Sequence, residues 1–189
     1  VRDGKYRDCT NITFRQFMDG ALKGEIAEWE PNLGDWTNHL STLFPDVRLK
    51  RFLEMRGADG GPWRRICALP AFWVGLLYDD EALAAADQFT ADWQVDDVIG
   101  LRNAVPVEGL KATIAGRDLL DVARDVVAIS RKGLQNRARL NREGQDESVF
   151  LSPLEEVLAK KSTLADDLLA LYHGRWQQSV LPVFEEYQY

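Results

Sequence analysis

Cysteine and histidine are scarce, with two of each in 189 residues. Cys9 and Cys67 form no CxxC pair, and neither His39 nor His173 has a second His or Cys at ligand spacing, which argues against a structural zinc site. Long apolar runs are also missing. The most apolar stretch, Ile66 to Tyr78, is too short to span a bilayer and contains Pro70. No leader-peptide pattern opens the chain. An excess of positive charge is absent too: 23 Lys and Arg against 30 Asp and Glu leave −7. That balance argues against nucleic-acid partners and anionic membrane surfaces, while leaving room for a local anion pocket. Ser152 and Ser179 lack a GxSxG frame, and the Gly57–Gly61 run has neither the Walker lysine nor the GxGxxG spacing. With so few cysteines, both read as free, buried thiols of a reducing compartment, and the expected location is cytoplasmic. A Cys9–Cys67 bridge stays open, since sequence supplies no geometry.

What is present suits a folded domain: 46% hydrophobic residues over a length that can bury a core. Phe14, Phe17 and Met18 share a helical face within Thr13–Leu22. Asp35 is the expected N-cap of a short helix, Trp36–Leu43, ended by Pro45. Val47–Arg56 alternates and reads as one strand. Val47, Leu49, Leu53 and Met55 lie on its apolar face, and Arg48, Lys50, Glu54 and Arg56 share the other with Phe52. Gly57–Gly61 is a turn, and Pro62 opens a buried helix, Trp63–Tyr78, that Pro70 should kink or break. Trp63, Phe72 and Trp73 read as core, as does Cys67.

Further helices are expected over Glu81–Phe89 and from Val95 to a turn at Pro106 and Gly109. A long helix follows from Asp118 to about Leu140, its basic second half (Arg131, Lys132, Arg137, Arg139) reading as solvated surface. Ser152 to Glu155 reads as a capping box for a helix to Lys161, and Thr163 caps another that Gly174 ends. Trp176, Val180, Phe184 and Tyr187 have helical spacing in the tail. The expected fold class is α+β, mostly helical, with one strand. A lone strand has no partner, so either more strands lie in residues 1–34 or the sheet is completed by chain outside these 189 residues. The charged start at Val1, without Met, favours the second expectation: a fragment whose first half is absent.

The charged strand face carries the chemistry that residues alone suggest. Glu54 and Arg56 share a face about 7 Å apart along a strand. A carboxylate can hold a hard cation such as Mg²⁺, and a guanidinium beside it can grip a phosphate. Arg64 and Arg65 add charge near a helix start. Against this stands a plain surface reading, with Glu54 paired to Lys50 or Arg56.

The run FLEMRGADGGPWRRICALPAFWVGLLYD, with YRDCTNITFRQF and LFPDVRLKR before it and FTADW, LRNAVPVEGLK and GRWQQSVLPVFEEYQY after it, resembles the plant and proteobacterial type of glutamate–cysteine ligase over nearly the whole chain. The resemblance implies ligation of the glutamate γ-carboxylate to the cysteine amine, with ATP and Mg²⁺, through a γ-glutamyl phosphate. It implies a glutamine-synthetase-like antiparallel sheet packed by helices, of which residues 1–189 would be the C-terminal part of one catalytic domain. Glu54 would be a metal ligand, Arg56 the catalytic residue on the transferring phosphate, and Lys50, Arg64 and Arg65 helpers at the nucleotide. The remaining ligands would lie in the missing N-terminal half, which would also be this chain's partner; an exposed edge leaves self-association open. Cys9 and Cys67 match plant cysteines whose partners are not in this chain. A related ligase with another amine substrate, and a non-catalytic helical interaction module, are the alternatives.

Overall fold

The computed structural model describes residues 4–6, 8–22, 30–58 and 60–188. The chain divides into two compact units, Val1–Ala58 and Asp59–Tyr189.

In the first unit, α1 (Phe14–Met18) begins at Thr13. The Thr13 hydroxyl accepts the Gln16 N–H, and the Gln16 side chain accepts the Thr13 N–H. α2 (Leu33–Ser41) starts with the same reciprocal arrangement between Asn32 and Asp35. The cap expected at Asp35 therefore moves to Asn32. Its extended backbone lets the amide oxygen reach the Asp35 N–H, and Asp35 becomes the third helical residue. Phe14 stacks on His39 at 4.8 Å and lies 5.0 Å from Trp36, so the aromatic face of α1 meets α2. The expected span to Leu22 shortens to Met18.

β1 (Val47–Leu49) and β2 (Leu53–Met55) pair antiparallel, with Val47 opposite Met55, Arg48 opposite Glu54 and Leu49 opposite Leu53. The single strand expected here is a hairpin. Its connection, Lys50–Arg51–Phe52, is closed by the Lys50 N–H donating to the Phe52 carbonyl at 2.9 Å. None of these three residues has a positive φ, so the turn needs no glycine or asparagine and carries no such marker. Opposite residues have the same parity, so folding back keeps Val47, Leu49, Leu53 and Met55 on one face and Arg48 and Glu54 on the other. Val47, Leu49 and Leu53 are exposed by 47%, 79% and 55%, where burial was expected.

The second unit is mostly helical. α3 (Trp63–Leu77) runs through Pro70 without a break, and Pro62 is its N-cap rather than its first residue. α4 (Asp80–Thr90) is capped by Asp79, whose carboxylate accepts the Ala82 N–H. α5 (Val95–Glu108) includes Pro106, so only Gly109, at φ 55, makes the expected turn. A small hairpin that the sequence reading missed follows, β3 (Thr113–Ile114) with β4 (Arg117–Asp118). It turns at Ala115 and Gly116, both with positive φ, the backbone that two-residue hairpin turns require. α6 (Leu119–Arg137) starts where expected but stops short of Leu140, and Asp118 stands at its N-cap position without a side-chain hydrogen bond to the first turn.

A 3-10 turn, Glu147–Leu151, leads straight into α7 (Ser152–Lys160). Ser152 is already helical there and makes no cap, so the expected capping box is absent. Its glutamate is used elsewhere: Glu155 accepts from Arg131 Nε at 2.7 Å. α8 (Leu164–His173) has the expected Thr163 cap, reciprocated by Asp166, and ends at Gly174. In the tail only α9 (Leu181–Glu186) is helical, and Trp176 folds back to donate to Glu186. Trp63 is 71% exposed, not core, and Cys9 is exposed while Cys67 is half-buried; both thiols are free. No helix among the described residues is long and apolar enough to cross a membrane.

The core of this unit is a close crossing of α3 and α6. A Cβ built on Gly75 would lie 2.2 Å from the Ser130 carbonyl oxygen, and one on Gly133 would lie 1.9 Å from the Gly75 carbonyl oxygen. Ala68 and Ala71 extend the small face of α3. Ser130, fully buried, donates from Oγ to the Phe72 carbonyl at 2.8 Å, satisfying a hydroxyl that burial would otherwise penalise. Ala71, Leu134 and Leu151 form the centre, with Phe72, Val74 and Leu154 against them. The basic half of α6 is not simply solvated. Arg131 reaches Glu155 and Ser148, and Arg137 reaches Glu147, tying α6 to α7 and to the 3-10 turn.

Gly75→Ala and Gly133→Ala should each destabilise this unit by at least about 1–3 kcal/mol through overpacking. Gly100→Ala, inside α5 with nothing within 4 Å, should stabilise by about 0.5–1 kcal/mol. Urea denaturation of the three variants checks the opposed signs, and a Gly133→Ala protein as stable as wild type contradicts the crossing.

Candidate functional site

The hairpin brings three of the residues picked out in the sequence onto one face. Glu54 lies in β2, Lys50 in the turn, and Arg56 just past β2, where its N–H donates to the Asp46 carbonyl at 2.8 Å and extends the ladder. The fourth member is Arg48, directly opposite Glu54. Arg48 Nε donates to Glu54 Oε2 at 2.8 Å, and Arg48 Nη2 lies 2.7 Å from the same oxygen. Lys50 Nζ is 3.6 Å from it as well. Pairing with Lys50 was foreseen as the plain surface reading. The dominant pair with Arg48 was not, because a continuous strand keeps residues 48 and 54 apart.

This environment favours the ionised carboxylate. The Arg48 hydrogen bond holds the Glu54 pKa below its ordinary value, with smaller contributions from the charges of Arg48, Lys50 and Arg56. All the cation contacts fall on Oε2. No hydrogen bond or ion pair among the described residues reaches Oε1. Arg56 complements this: its Nη1 is buried without a hydrogen-bond partner, while its guanidinium lies 5.5 Å from the centroid of the Phe44 ring. One open carboxylate oxygen and one unsatisfied guanidinium nitrogen are the groups that a hard cation and a phosphate oxygen take. The residues present therefore fit a metal-bound polyphosphate.

The other two candidates sit in the second unit. Arg64 is committed to Glu156 of α7, with Nη2 2.6 Å from Oε1, so its charge is engaged in packing α3 on α7. Arg65 lies in the first turn of α3. No group of three metal-ligating side chains converges among the described residues. A cavity of about 490 Å³ lined by Phe14, Met18, Pro31, Asn32, Leu33 and Trp36 contains none of the candidate residues.

Comparison with known proteins adds a family. The sequence profile of glutamate–cysteine ligase family 2 matches residues 5–186. A protein named chloroplastic glutamate–cysteine ligase from Arabidopsis thaliana is 53% identical over 191 aligned positions, covering 100% of this chain and 35% of its own length. The protein of the same name from Solanum lycopersicum is 52% identical, with 100% and 35% covered. Glutamate–cysteine ligase A, chloroplastic, of Oryza sativa subsp. indica is 50% identical, with 100% and 37% covered. The chain thus spans about a third of the length of the curated relatives it matches. The cytoplasmic expectation is corrected by these names, which place the relatives in the chloroplast. A low cysteine count does not distinguish one reducing compartment from another.

Because the folded-state pKa of Glu54 is depressed, its contribution to stability is complete above the unfolded value and is lost as pH falls through the folded one. A carbon-detected titration of the Glu54 carboxyl should have its midpoint below the usual glutamate value of about 4.3, and Arg48→Gln should raise it. A midpoint at or above the usual value contradicts the pairing.

Proposed function

The chain belongs to glutamate–cysteine ligase family 2, and from that membership we propose that it is part of an enzyme that joins the γ-carboxylate of glutamate to the amine of cysteine, the first step of glutathione synthesis. The observation that carries this reading is the family match across residues 5–186, with identity of about half to named ligases. The chloroplastic names of those relatives support a plastid location. The 189 residues are read as the C-terminal part of one catalytic domain, whose sheet would have the glutamine-synthetase-like form and would be completed by sequence outside this chain.

Amide formation from a carboxylate needs activation, because an ionised carboxylate is a poor electrophile and oxide a poor leaving group. Transfer of the γ-phosphoryl group of ATP to the glutamate γ-carboxylate breaks the β–γ anhydride bond, releases ADP and gives an acyl phosphate. The cysteine amine then attacks the acyl carbon, phosphate departs with the original carboxylate oxygen, and the amine loses a proton. In this scheme Arg56 acts as the catalytic residue. Its Nη1, buried and without a partner, would take up charge on the transferring phosphoryl oxygens. Glu54 would supply Oε1 to a divalent cation, and when bound, Mg²⁺ would neutralise the polyphosphate. Lys50 would add positive field around the nucleotide.

Glutamate labelled with ¹⁸O in its γ-carboxylate should, with ATP and cysteine, deliver one ¹⁸O to inorganic phosphate in the full-length enzyme. Unlabelled phosphate, or no γ-glutamylcysteine at all, contradicts the reading. The isolated 189-residue chain should form no measurable product, since no cluster of acidic metal ligands converges among its described residues.

A further inference from the structure

We propose that Arg48 is a positioning residue for Glu54: it clamps Oε2 and thereby leaves Oε1 as the oxygen offered to a divalent cation. The inference rests on the reading of Glu54 as a metal ligand and deepens it. Arg48 approaches Oε2 with two nitrogens, Nε at 2.8 Å and Nη2 at 2.7 Å, and Lys50 Nζ adds a third at 3.6 Å. No hydrogen bond among the described residues goes to Oε1. A carboxylate is free to swing about its last torsion and offer either oxygen. Two guanidinium nitrogens on one oxygen remove that freedom, and planarity then sets the other oxygen on the far side of the carboxyl carbon.

The hairpin is what makes the clamp. Arg48 and Glu54 are directly opposed across the two strands, so backbone pairing fixes the distance that the ion pair spans. The charge of Arg48 falls on the oxygen that the cation does not use. Electrostatics alone and positioning make opposite forecasts. If Arg48 only neutralises Glu54, removing it leaves a more attractive carboxylate and tightens cation binding. If it orients Glu54, removing it weakens binding, as loss of a group that hydrogen-bonds a metal ligand does, by about 10–100-fold.

The test is Mn²⁺ binding to the full-length enzyme without nucleotide, followed by electron paramagnetic resonance. Arg48→Gln should weaken Mn²⁺ binding by about 10–100-fold. Arg48→Lys, which keeps the charge but not the two-nitrogen geometry, should fall between Arg48→Gln and wild type. Glu54→Gln should lose the site. Arg48→Gln binding Mn²⁺ as tightly as wild type, or more tightly, while Glu54→Gln loses it, overturns the positioning role and leaves Glu54 as a ligand. Unchanged binding in Glu54→Gln overturns both. Should Arg48→Gln fail to fold, Arg48→Lys decides, and affinity equal to wild type overturns the proposal.

Discussion

Two backbones touch where Gly75 of α3 meets Gly133 and Ser130 of α6, and the helical unit is organised by that approach. The distances leave no room for a methyl group on either glycine. Ordinary helix pairs are held 8–10 Å apart by their side chains; here, hydrogen atoms stand where side chains would. Closeness lets the Ser130 hydroxyl reach the Phe72 carbonyl and brings Leu134 onto Ala71 and Leu151. It also sets α6 so that Arg131 and Arg137 reach the carboxylates of Glu155 and Glu147. Those half-exposed pairs are each worth roughly 0–1 kcal/mol. They specify how α7 and the 3-10 turn dock more than they hold the unit together.

The hairpin of the first unit follows a different economy. Val47, Leu49 and Leu53 of its apolar face are exposed while Arg48 and Glu54 are half-buried, the reverse of an ordinary surface strand pair. A two-stranded ribbon is marginal by itself, and exposed Val47, Leu49 and Leu53 are the residues a larger sheet or a covering element would bury. Strand pairing and charge pairing meet in Arg48 and Glu54. The same contact that satisfies opposed charges across the strands occupies one carboxylate oxygen and leaves the other open.

Much of this was legible because local patterns have local causes. Thr163 before a helix and Gly174 after one, and the separation of Val47, Leu49, Leu53 and Met55 from Arg48 and Glu54, survive in the structure. What failed needed information from elsewhere in the chain. The Lys50–Phe52 turn uses ordinary φ angles and so has no marker residue, which made one strand of two. Ser152 and Glu155 match a capping pattern, but a preceding 3-10 turn had already satisfied the helix start and Arg131 claimed the glutamate. Gly75 and Gly133 look like two unremarkable helix glycines until the two helices are laid together. Of the candidate site, Lys50, Glu54 and Arg56 were legible as one face; Arg48 became a partner of Glu54 only once the strand folded back.

If Glu54 meets a divalent cation through Oε1, Arg48 should keep Oε2 with the metal in place. A crystal of the full-length enzyme grown with Mn²⁺ and an unreactive ATP analogue, examined by anomalous scattering, tests it directly. The expected result is a metal peak about 2.0–2.6 Å from Glu54 Oε1, the span of hard-cation bonds to oxygen, with Arg48 still on Oε2. A metal–nucleotide site with no Glu54 oxygen among its ligands would contradict it.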